Sequence, residues 1–83
     1  MTFLARLRRR RALVREAAAL EDEAQAVAMR AEAFAEEPPG TILFGTVRVD
    51  GPDGPRLWSL GHAQHYMALE QAARQKREEA GRL

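Results

Sequence analysis

The sequence predicts an α+β fold in the order α-β-β-α: a long N-terminal helix, a β-hairpin and a shorter C-terminal helix. Three observations predict it. Apolar residues from Leu13 to Phe34 recur at alternating steps of four and three, the spacing of a helical seam. Pro38-Pro39-Gly40 then interrupts any helix. A β-branched and aromatic stretch follows, and it runs into the turn sequence Gly51-Pro52-Asp53-Gly54. With 83 residues the chain is one small domain, 1–83. A domain of that size buries only about 60–65% of its unfolded surface. Stabilisation by a partner or a second copy is therefore expected.

The first helix is expected over residues 3–37. Its seam is Leu13, Ala17, Leu20, Ala24, Val27, Ala31 and Phe34, a coiled-coil repeat in which large side chains alternate with alanine. Alanine at every seventh position lets a neighbouring helix come close. The alanine, leucine, glutamate and arginine that fill the segment are also strong helix formers. Pro38 ends the helix and pushes Glu37 out of the α region.

Charge is segregated along this helix. Residues 1–15 carry six arginines and no acid, whereas 16–40 carry seven acids and one arginine. The net charge of +1 hides this contrast. Arg6, Arg8, Arg9, Arg10, Arg11 and Arg15 form the basic block, and Arg6 and Arg10 fall where the seam, extended backwards, would be apolar. Phe3, Leu7 and Val14 lie on a neighbouring face. Basic residues at a helix N-terminus oppose the macrodipole, so local helix stability does not account for the block.

The hairpin is expected over 41–60. Leu43, Val47 and Val49 share one face; Ile42 and Phe44 begin the other, which turns polar at Thr46 and Arg48. One end of the hairpin is thus expected to be covered on both sides. Pro-Asp-Gly suits a type I turn, and Pro55 makes the second strand an edge where it begins. Trp58 is the expected anchor of the hairpin in the core. A two-stranded hairpin does not stand alone in water, so it packs on a helix or extends a sheet in another copy.

Ser59 is placed to cap the second helix, expected over 60–79, with Ala63, Tyr66, Met67, Leu69 and Ala73 on its apolar face. Residues 80–83 are expected to fray. The first helix should reach about 50 Å and the second about half of that. On this reading the N-terminal half of the first helix has no partner within the chain. Antiparallel pairing of two copies would lay the arginine block over Glu32, Glu36 and Glu37 of the other chain.

Chemistry-bearing constellations are sparse. The chain has no cysteine, which removes disulfides, thiolate catalysis and cysteine zinc sites. His62 and His65 have a spacing that can share a metal, yet no third ligand is evident, so no metal is expected. Asp50 and Asp53 lack the spacing of a calcium loop. Gln64 and Tyr66 could join the histidines in a polar patch beside Trp58, but no nucleophile is matched with a base and an orienting acid. The expectation is a non-enzyme without cofactor. A signal-peptide h-region and a membrane-spanning run are both lacking, which points to a cytoplasmic protein.

The stretch PPGTILFGTVRVDGPDGPRLWSLG, Pro38 to Gly61, following an Ala/Glu/Arg-rich helix, resembles small accessory proteins of actinobacteriophage type. In these a short coiled coil precedes a hairpin ending in an aromatic residue and a glycine, matched here by Trp58 and Gly61. The resemblance implies no activity beyond binding. Residues and resemblance together lead to a non-enzymatic protein-protein interaction module that self-associates, as a dimer, through the seam and binds a macromolecular partner. The alternative is a nucleic-acid-binding accessory protein that uses Arg6 to Arg15. Attachment to a membrane surface is the weakest of the readings, because the apolar face at Phe3, Leu4 and Leu7 is only two turns long.

Overall fold

Thr2 opens the first helix by accepting the Ala5 amide on its Oγ1 at 3.1 Å, one of the orphan donors that every helix start must satisfy. The computed structural model describes residues 2–41 and 44–83. Helix α1 spans Phe3–Ala33, strand β1 Thr46–Gly51, strand β2 Gly54–Ser59 and helix α2 Leu60–Gly81. The expected α-β-β-α order holds. The molecule is a rod of 58 × 20 × 17 Å.

Helix α1 stops before the prolines rather than at them. The amides of Phe34 and Ala35 bond back three residues, to Ala31 and Glu32, tightening the last turn. Glu36 then leaves the helical ladder and exchanges two backbone hydrogen bonds with Leu57, at 3.2 and 2.8 Å. The expected end at Glu37 is therefore too late by four residues: pairing with β2 competes successfully for the backbone of Glu36.

The strands pair antiparallel with Thr46 opposite Ser59 and Gly51 opposite Gly54. β1 begins five residues later than expected, since Phe44 and Gly45 lie in a turn and Gly45 takes φ 81°, a region that suits glycine. The face assignments made for Ile42 and Leu43 lie outside the described residues. Val47 and Trp58 sit opposite each other on the face that meets the helices. Leu57 and Trp58 are neighbours, hence on opposite faces, and both are buried. The hairpin is thus buried on both faces at Leu57 and Trp58, whereas Phe44, expected to begin the covered end, is fully exposed.

Ser59 Oγ accepts the amide of His62 at 3.2 Å and caps α2, as expected. Helix α2 differs from expectation in extent. It runs to Gly81, two residues past the expected end at Glu79, and Ala80 is buried. Ion pairs join Glu21 to Arg77, Glu16 to Lys76 (3.1 Å) and Arg9 to Glu79 (3.2 Å), which shows that α2 runs antiparallel along α1. The N-terminal half of α1 thus has a partner within the chain, contrary to the expectation from length. Helix α2 also reaches further than the half-length of α1 expected for it. Its 22 helical residues extend about 33 Å against about 46 Å for the 31 of α1.

The core follows this helix pair. Ala24, Val27 and Leu69 cluster near its middle, flanked by Leu20 and Tyr66. Ala31, Trp58 and Ala63 cluster where the hairpin docks, and Tyr66 also packs there. Tyr66 therefore connects helix packing to hairpin packing. Met67, assigned to the same apolar face, is instead exposed.

Candidate interaction surfaces

The seam predicted on α1 is occupied from within the chain. Leu13, Ala17, Ala24, Val27 and Ala31 are buried and Leu20 is half-buried, against α2 positions that include Ala63, Leu69, Ala73 and Ala80. Small residues on both helices allow the close approach that the alternating pattern anticipated. Within the chain this seam therefore faces α2. Phe34, the last seam residue, does not join it and is 78% exposed. It caps the helix end, where the chain turns towards the hairpin.

Glu32 has a different role from the one its charge suggested. Its Oε1 accepts the indole N–H of Trp58 at 2.8 Å, and its Oε2 lies 3.4 Å from Arg56 Nε. Arg56 also donates to the carbonyl of Ala35 at 3.2 Å. Glu32 is thereby engaged with β2 of its own chain. Arg9 finds Glu79 of α2.

Trp58 and Tyr66 meet edge to face, with ring centroids 5.6 Å apart and planes at 90°, a favoured aromatic geometry. Burial, reinforced by a hydrogen bond to Glu70 and by its charge, pushes the Tyr66 phenol above its ordinary pKa. A groove of 590 Å³ opens between this pair and the hairpin turn, with Glu32 and Arg56 on its wall. Those two polar groups are already engaged with each other and with Trp58. Trp58 itself is buried, as an anchor is expected to be.

His62 and His65 stand in the first turns of α2. Ser59 Oγ lies 2.9 Å from His62 Nδ1, but the same hydroxyl holds the His62 amide, so the contact closes a helix cap. Among the described residues no three of His, Cys, Asp and Glu come together as a group that could hold a metal ion. Asp50 and Asp53 remain at the hairpin tip.

The arginine block lies in the N-terminal part of α1, alongside the last turns of α2, where Arg9 meets Glu79. Phe3 and Leu4 are exposed there, and Val14 is partly so. A shallow groove of 430 Å³ is lined by Leu7, Arg10, Arg11, Val14 and Arg15. Among the described residues, Arg9 alone of the six has a carboxylate within ion-pair distance. Val14 is next to Leu13 in sequence, yet Leu13 is fully buried; the two mark the inner and outer faces of one helix. Nothing in the periodicity of the seam indicated this outer face, whereas the separate stripe of Phe3, Leu7 and Val14 did.

Among the described residues no helix is long and apolar enough to cross a membrane. No family model, no curated protein and no solved structure matches the chain.

Proposed function

We propose that this chain is a protein-interaction module that presents the outer face of α1, from Phe3 to Arg15, to an acidic partner with apolar side chains. The observation that carries this reading is the mixture on that face: Leu7 and Val14 lie between Arg10, Arg11 and Arg15, which have no carboxylate partner among the described residues. Guanidinium groups supply forked donors for carboxylates. The apolar side chains supply contact area that a phosphate backbone would not use. Helix α2 packs on the inner side of this part of α1, where Leu13 is buried and Arg9 meets Glu79, so little ordering cost accompanies binding.

Nucleic-acid binding is the second reading, and the same uncompensated guanidinium groups favour it. The two separate in one experiment. Isotope-labelled protein is titrated with an acidic amphipathic peptide and, separately, with duplex DNA, each at low and at physiological salt. The first reading predicts amide shifts confined to Phe3–Arg15 on peptide addition that largely survive the added salt. The variant Leu7→Ser/Val14→Ser should weaken them. DNA binding that collapses with salt and ignores that variant would overturn the first reading in favour of the second.

A further inference from the structure

We infer that the open edge of β1 is a self-association edge, on which β1 of a second copy pairs antiparallel in one register, Arg48 opposite Asp50 and Val49 opposite Val49. The inference stands apart from the arginine face of α1, which it does not use.

Backbone direction comes first. Leu57 both donates to and accepts from Glu36, so its backbone groups point away from β1. Its neighbour across the hairpin is Arg48. Bonded and non-bonded pairs alternate along an antiparallel ladder, so Arg48 and Leu57 form a non-bonded pair. The N–H and C=O of Arg48 therefore point off the far edge of β1, and alternation sends those of Asp50 the same way. Opposite Asp50 stands Pro55, which has no N–H to offer. The sheet consists of β1 and β2 among the described residues, so these groups face an edge with no strand beyond it. Such an edge is a template for another strand.

Beneath the edge lies a groove of 490 Å³ between β1 and α2, lined mainly by Val47, Val49, Leu60, Ala63 and Met67. Met67 is 67% exposed and Leu60 41%. A strand added to β1 would lay its own inward side chains over these two residues. Val47 and Val49 are the inward side chains of β1 itself, so a second β1 brings apolar side chains that match the apolar groove.

Charge selects the occupant and the register. Registers that set only residues 48 and 50 against each other place 48 opposite 48, 48 opposite 50, or 50 opposite 50. The first and last oppose like charges, which destabilises a pair of strands. Only the middle register makes two Arg–Asp pairs, related by a two-fold axis at Val49, with the small Gly51 opposite Val47. Within one chain Arg48 and Asp50 stand 3.9 Å apart and their side chains are 57% and 88% exposed. Both charges remain available. The product is a closed, isologous four-stranded sheet, β2-β1-β1-β2.

Sedimentation equilibrium of the full chain, from micromolar to hundreds of micromolar, tests this. The expected result is a dimer that weakens about tenfold or more in Arg48→Asp and in Asp50→Arg, each of which opposes like charges twice. The double variant Arg48→Asp/Asp50→Arg should dimerise like the parent, and mixing the two single variants should restore association that neither shows alone. A parent chain that stays monomeric throughout, single variants as tight as the parent, or a double variant as weak as the singles would each overturn the inference. A chain without cysteine permits a second measurement that keeps both charges. Val49→Cys should form a disulfide-linked dimer much faster than Asp53→Cys, which sits in the turn; equal rates overturn the register even if a charge variant loses helicity.

Discussion

The indole N–H of Trp58 donates to Glu32 Oε1 at 2.8 Å, joining the last turn of α1 to the hairpin 26 residues later. The same carboxylate approaches Arg56, which is half-buried. Replacing Glu32 by alanine leaves the indole donor without its acceptor and removes the countercharge beside Arg56 in a partly buried place, where a lost hydrogen-bond partner costs about 1–3 kcal/mol. Glu32→Ala should therefore lower unfolding free energy by about that amount. Trp58 fluorescence should shift as well, and chemical denaturation followed at the tryptophan reads both. An unchanged midpoint would show that the contact is incidental.

Leu13 is one of the two largest side chains fully withdrawn from solvent, and α2 is what covers its helix face. Leu13→Ala should cost about 2–5 kcal/mol, as for other buried leucines. Because the cover comes from the same chain, the loss should not depend on protein concentration. Thermal melts at two concentrations check this. A deficit that disappears at high concentration would assign the seam to an interface between copies.

Ala17 and Ala73 set how closely the helices approach, and both are buried. Ala17→Leu should destabilise by about 1–3 kcal/mol through overpacking. Deleting the residues from Ala80 onward should also lower the midpoint, since Ala80 is buried and α2 continues through it. Denaturant titrations of both variants, with helicity measured alongside, test the packing along the whole pair. A silent truncation would restore the frayed tail expected from composition.

A forked hydrogen bond from Arg77 holds the Glu21 carboxyl below its ordinary value of 4.5, and the attraction of the guanidinium adds to it. A lowered folded-state pKa means the contribution is present above the unfolded value and is lost as pH falls through the folded one. Thermal stability should thus decline below about pH 4.5. Glu21→Gln should flatten that part of the profile while lowering the melting temperature only slightly near neutrality, because the pair is exposed. Melts across acid pH, parent against variant, give the comparison.

Tyr66 shifts in the opposite sense. Burial, then its hydrogen bond to Glu70 and the charge there, favour the neutral phenol. The associated stability is present below the ordinary pKa of 10.0 and is lost as pH rises through the folded value. Since the chain has a single tyrosine, phenolate absorbance reads it alone. Its midpoint should exceed the ordinary value in the native protein. Glu70→Gln should bring it down without abolishing the shift, because burial remains.

The sequence by itself determined the α-β-β-α order, the inward stripe of α1, the Ser59 cap and the hairpin turn. Each depends on residues close together in the chain: a four-three repeat, a hydroxyl before a helix, prolines and glycines at fixed offsets. It also separated the arginine block from the seam, because Phe3, Leu7 and Val14 fall on another face by helical geometry alone. Only the tertiary structure decided what covers the seam. In sequence the apolar face of α2 ends at Ala73, and Lys76 and Ala80 read as lying beyond it. Beside α1 they read as a continuation, since an alanine suffices where helices touch and a lysine stem can lie along the contact with its head on Glu16. The tertiary structure likewise ended α1 at Ala33, because the two backbone bonds exchanged between Glu36 and Leu57 outweigh another turn of helix. Burial and pairing join residues that lie far apart in the chain, and local periodicity carries no record of them.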